Sequence, residues 1–249
     1  MDVEVRGVGP EAPFLCARDL FETERTLRRP VTVRIVDDPD ERTRVGHTDE
    51  RHWLTISRHA ATSAMARELA LHELAHMHHH EQGHPSHVQS MEEAIYLALA
   101  GRTVEQRKLT HCYQIANHMK DIYADDVWLE VAPADKLVSF LEASLATALA
   151  DRPSDPPTWT RLTPASDPDI TAVNAAFALG LVERHSLVGE NHRLYDLADV
   201  AAGDAPAVDF ERFREMFRSL TEDPGESEYR KLLVEVTRTY AGETEPAAD

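Results

Sequence analysis

Apolar positions along this chain repeat with two periods, and the change from one to the other lays out its elements. Val31-Thr32-Val33-Arg34-Ile35-Val36 alternates apolar and polar residues, the period of a half-buried strand. A charged stretch from Asp37 to Glu50 reads as a loop or hairpin with Gly46 as its turn residue. His52-Trp53-Leu54-Thr55-Ile56-Ser57, β-branched and aromatic, reads as a second strand. From there the spacing is helical. Thr62 or Ser63 is placed to cap a helix running from Met65 to about Glu81, closed by Gly83 and Pro85. Helices are predicted over 91–100, 104–131 and 135–150 and, past a Pro-rich linker at 151–157, near 169–184, 193–202, 208–221 and 226–241. The fold class is α+β, helix-dominated, with a small N-terminal sheet. The division predicted is a first domain over 1–150, a helical region over 158–242 and a disordered acidic tail at 243–249.

Charge narrows the partners. The chain has 44 acidic and 26 basic residues, a formal net charge of −18, and only four lysines: Lys108, Lys120, Lys136 and Lys231. A surface this acidic repels nucleic acid and anionic membranes, so neither is expected as a partner. Acid-rich, Lys-poor composition is also what proteins of a halophilic archaeon's cytoplasm show, where dense salt screens the self-repulsion. Cys16 and Cys112 form no C-x-x-C pair and imply no thiolate metal site or disulfide framework. The first residues lack a signal-peptide pattern and no apolar run is long enough to span a bilayer, so a cytoplasmic location is expected.

The chemistry concentrates in His72-Glu73-Leu74-Ala75-His76. Residues at i and i+4 share one helix face, so both imidazoles can aim at one ion. Glu73 is offset by roughly 100° and reaches a metal-bound water more naturally than the metal. Leu71, Leu74 and Met77 mark the opposite, core-facing side. Downstream, Asn117, His118, Asp121 and Asp125 fall on one face of the 104–131 helix, extended by His111 and Gln114. Such a polar stripe, flanked by Ile115, Ile122 and Trp128, is costly to bury unless it binds something. The run His78-His79-His80 reads as solvated polar residues.

Strand, strand, H-E-x-x-H helix and a later acidic helix together resemble the zincin metallopeptidases, and within them the gluzincin-like branch, over roughly residues 30–131. In that branch the third ligand is a carboxylate on a downstream helix, within E-x-x-A-D, whose second acid orients a ligand histidine. Asp121-Ile122-Tyr123-Ala124-Asp125 stands at the corresponding place, with Asp for Glu and one methylene less. The segment from His72 to Asp126 is also similar to an uncharacterised archaeal family of predicted peptidases. The resemblance implies a zincin-like catalytic domain in which His72, His76 and Asp121 hold Zn²⁺, with Asp125 behind them. It also implies Glu73 as general base for hydrolysis of a peptide or protein substrate by a metal-bound water. In such folds the strand ahead of the metal helix, here Trp53 to Ser57, offers its edge to an extended peptide.

Two alternatives for the third ligand follow from other zincin branches. His84, with His87 behind it, resembles a histidine on the loop after the helix, and Glu92 or Glu93 resembles the carboxylate of small regulatory zincins. The metzincin pattern is excluded by His79 and Gln82. At the level of function, one alternative is a non-catalytic zinc-binding regulator that keeps the fold. Another starts from Ala175 to Leu197, which resembles the end of a winged-helix DNA reader but carries no basic recognition face.

Overall fold

The computed structural model describes residues 1–151 and 167–242. Most of the linker expected at 151–157, and all of the 243–249 tail, lie outside the described residues. The chain forms two compact units, one of Met1–Val88 with Lys120–Lys136 and one of Gln89–Met119 with Leu137–Asp249. Their boundary follows packing rather than the Pro-rich stretch, and it passes through a continuous helix. No helix among the described residues is long and apolar enough to cross a membrane.

The first unit begins β1 (Val3–Arg6), α1 (Ala12–Phe21), β2 (Val31–Val36), β3 (Arg44–His47) and β4 (His52–Ser57). It continues α2 (Arg58–Ala61), α3 (Ala66–Gln82) and α4 (Pro85–Val88). After α5 (Met91–Leu99) of the second unit, α6 (Gln106–Val131) returns its later half to the first. The sheet order is β1-β2-β4-β3, with β1, β2 and β4 parallel and β3 antiparallel to β4. β2 and β4 occupy the predicted spans because each carries an uninterrupted buried set: Val31, Val33 and Ile35, then Leu54 and Ile56. Phe14, Ala17 and Phe21 of α1 and Leu71, Leu74 and Met77 of α3 complete the core, as the α3 pattern predicts.

Two expectations about the sheet are corrected. Gly46 is not the turn residue; it lies in β3 opposite Trp53, and the chain turns at 48–51. There the Thr48 N–H donates to the Arg51 carbonyl at 2.9 Å, while the Thr48 hydroxyl accepts from the Glu50 and Arg51 amides. Nor does β4 present an edge, since β2 and β3 flank it; among the described residues the edge strands are β1 and β3.

A buried polar clamp holds the C-terminal end of α3 to the sheet. Glu81 accepts the Arg28 and Arg29 amides at 2.8 and 2.9 Å and His52 Nε2–H at 2.9 Å. His52 Nδ1 then accepts from His47 Nδ1–H at 2.7 Å, and the His47 ring stacks on His80 of α3 at 3.9 Å. Burial, followed by the neighbouring His80 and His52, pushes His47 down to about 3. His52 is also lowered, by burial that outweighs its bond to Glu81.

The second unit is helical throughout its described residues, with α7 (Asp135–Ala150), α8 (Pro168–Arg184), α9 (Arg193–Asp204), α10 (Phe210–Arg218) and α11 (Glu226–Gly242). α8 is buried almost all round from Ile170 to Val182, which makes it the axis of this unit. The 193–197 segment opens α9, within the helix that the spacing near 193–202 predicts. Gly180 lets α10 approach α8 closely: a Cβ there would stand 2.8 Å from Phe217 Cβ and 3.0 Å from the Arg214 carbonyl oxygen.

Two predictions follow. Gly180→Ala overpacks this contact and lowers stability by about 1–3 kcal/mol, read as a lower denaturant midpoint; an unchanged midpoint removes the contact from the account. The clamp makes stability pH-dependent. Its imidazoles stay neutral in the fold below the ordinary value of 6.5, so over that window the unfolded chain binds more protons. Their contribution is full above 6.5 and is lost as pH falls toward about 3. The thermal midpoint of His47→Gln will fall less steeply on acidification than that of the wild type; equal slopes overturn this role.

Candidate metal centre

α3 and the later half of α6 place three side chains around one point. The i, i+4 spacing puts His72 and His76 on the same face, and their Nε2 atoms stand 3.0 Å apart. Asp121 Oδ1 lies 3.4 Å from His76 Nε2 and 3.7 Å from His72 Nε2. A tetrahedral ion bound at ~2.0–2.1 Å separates its ligand atoms by roughly 3.3–3.4 Å, so these three edges bracket that value. Among the described residues, His72, His76 and Asp121 form the one group of three or more such side chains whose ligand atoms lie within 4.8 Å of one another. Two imidazole nitrogens and a carboxylate oxygen are the donor set Zn²⁺ accepts, and Asp121 reaches the group despite its missing methylene.

Both imidazoles are held from behind. Asp125, buried on α6 one turn beyond Asp121, accepts His72 Nδ1–H at 2.7 Å. His76 Nδ1 lies 2.7 Å from His87 Nε2 on α4. The Trp128 ring meets the His72 edge at 6.4 Å and 85°, closing the apolar side.

The electrostatics of the centre follow from burial and these carboxylates. Burial would lower His72, but Asp125 and Asp121 together outweigh it and hold the imidazole well above its ordinary value. His76 goes the other way, to about 4, through burial and then the charge of His72. One N–H, on His72, therefore points at a bare His76 nitrogen. Glu73 is buried beside the pair; desolvation raises its carboxyl to about 7, opposed by His72 and by Lys120 next to Asp121.

The remaining sequence candidates have other positions. His84 lies outside the three-ligand group, and its Nδ1 is 2.7 Å from the Ser86 hydroxyl. Glu92 and Glu93 open α5 in the second unit with exposed side chains, where Ser90 caps the helix. The run 78–80 is packed rather than solvated. His78 meets Phe21 and bonds the Thr26 backbone, His79 Nε2 donates to the Tyr123 carbonyl at 2.9 Å, and His80 stacks on His47. The polar stripe of α6 also divides. Asp121 and Asp125 serve the histidine pair. In the second unit, Gln114 and His118 bond Asn174 at 2.8 Å each, and His111 bonds Tyr240 at 2.5 Å. Its earlier half thus finds partners on α8 and α11. Ser86 is the residue that sequence reasoning passes over; a lone serine between two histidines carries no spacing signal.

The arrangement predicts proton release on metal binding. An ion entering between the two Nε2 atoms must displace the His72 Nε2 proton, so zinc uptake near pH 7 releases about one proton. Calorimetric titrations in buffers of different ionisation enthalpy will show this as a buffer-dependent heat, and a buffer-independent heat contradicts the protonation state assigned to His72.

Comparison with known proteins adds the family. No curated protein and no solved structure matches the chain. A family of unknown function, DUF5781, matches residues 1–242, and the chain belongs to that family.

Proposed function

We propose that the protein is a zinc-dependent, peptidase-like hydrolase built on a zincin-like first unit. In this reading His72, His76 and Asp121 hold the ion, Asp125 orients His72, and Glu73 is the general base. The observation that carries the reading is the meeting of His72 Nε2, His76 Nε2 and Asp121 Oδ1 at separations of 3.0, 3.4 and 3.7 Å. The order of β2, β4, α3 and the acidic half of α6 supports it, as does the H-E-x-x-H sequence itself.

Zinc, when bound, supplies Lewis acidity that polarises a carbonyl and acidifies water. The other roles belong to side chains. Glu73, desolvated and titrating near neutrality in the metal-free protein, is suited to take a proton on its carboxylate and return it to a leaving amine. Lys120 adds positive charge felt by Glu73, His76 and His87. β3, packed on α3 and an edge strand among the described residues, is where an extended substrate segment would add a strand.

The test begins with zinc stoichiometry of full-length protein purified in high salt, followed by cleavage of casein or a peptide library. Glu73→Gln is expected to retain zinc and to lose about 10²–10⁴-fold in kcat. Folded wild-type protein that stays metal-free after zinc supplementation overturns the metal site. Zinc binding without Glu73-dependent cleavage leaves the non-catalytic zinc protein as the answer. Asp121→Ala should weaken zinc binding more than His84→Ala, and the reverse order removes Asp121 as ligand.

A further inference from the structure

A hydrogen-bonded chain leads away from His76 through His87 and Ser86 to His84, and every link is short. His76 Nδ1 to His87 Nε2, His87 Nδ1 to Ser86 Oγ, and Ser86 Oγ to His84 Nδ1 each measure 2.7 Å. Neutral imidazole has one donor and one acceptor nitrogen, and a hydroxyl has one proton to give, so such a chain can be polarised in either of two directions. One backbone group selects between them. The Ser86 N–H, always a donor, also points at His84 Nδ1 at 3.3 Å, which makes that nitrogen an acceptor. The Ser86 hydroxyl then donates to His84, so its oxygen accepts from His87 Nδ1–H. His87 Nε2 is left as a lone pair and accepts from His76 Nδ1–H. His76 Nε2 is thereby bare, and it is the nitrogen that faces His72 and Asp121.

We propose that His87, Ser86 and His84 are positioning residues, a polarised relay that holds His76 in the one tautomer able to bind the metal at Nε2. The proposal rests on the zinc reading above. It gives His84 and His87 a task as outer partners, and it gives His76 a neutral acceptor where His72 has the carboxylate of Asp125.

The surroundings keep the relay in register. Gly83 takes φ +68°, a left-handed C-cap, so the chain leaves α3 and places α4 back against it. His79 is fixed by its bond to the Tyr123 carbonyl and stacks on the His87 ring at 5.1 Å and 27°. Tyr123 in turn meets the His84 ring at 4.6 Å. His79, His84, Ser86 and His87 are, on this account, scaffolding for a single nitrogen of His76.

Two measurements decide it. Nitrogen-15 spectra of the histidine rings in metal-free, full-length wild type should show His76 protonated at Nδ1 and bare at Nε2. His76 protonated at Nε2 overturns the relay. The second measurement is zinc affinity by competition with a chromogenic chelator. His87→Leu, which removes the acceptor, is expected to weaken zinc binding about 10–100-fold, while His87→Gln, which can present an oxygen to His76 Nδ1–H, largely restores it. Equal affinities for the two variants overturn the proposal, with circular dichroism confirming that both are folded. If wild type binds no zinc, the functional reading fails; the tautomer seen in the metal-free spectrum still decides the relay.

Discussion

The structure of the first unit depends on two imidazole nitrogens that meet in a buried place. At 3.0 Å the Nε2 atoms of His72 and His76 are compatible only with one shared proton or a cation between them. That arrangement exists because each ring has its other nitrogen committed, His72 to Asp125 and His76 to His87. A buried polar atom left unpaired costs about 1–3 kcal/mol, so removing either outer partner would let the ring turn or change tautomer. The supporting elements follow from this requirement. α6 must bring two acids one turn apart, α4 must fold back after Gly83, and the rotation of α3 must be held by the Glu81 clamp at its end.

Electrostatics point the same way. The carboxylates of Asp121 and Asp125 face the positive charges of His72 and Lys120, with the desolvated Glu73 beside them. Burial of these groups is tolerable because His72, held well above its ordinary value, places a positive charge against Asp121 and Asp125.

Much of this was legible in the sequence, and the reasons for success and failure are physical. β2 and β4 were readable because each buries an unbroken apolar set, and α3 because its core side, Leu71, Leu74 and Met77, has helical spacing. The His72–His76–Asp121–Asp125 constellation was accessible because i, i+4 spacing on two helices is a local property. β1 and α1 escaped notice because four alternating residues, and a ten-residue helix holding Pro13 and two charges, carry too little periodicity. Tertiary partners misled the rest. The upper α6 stripe implied a ligand until Asn174 and Tyr240 supplied the bonds from distant sequence, and the 78–80 histidines implied solvent until three different neighbours claimed them. Gly46 suggested a turn, but the hydroxyl of Thr48 makes it two residues later.

The edge strand β3 has a consequence of its own. Unpaired strand edges invite aggregation, and proteins commonly blunt them by brevity and charge. β3 is four residues long, starts at the exposed Arg44 and contains a glycine. A visiting chain gains only a few ladder bonds there, each worth about 0.5–1.5 kcal/mol net, too little to hold a stack of copies together. On the proposed peptidase reading, the same brevity suits a segment that docks and leaves rather than one that is kept.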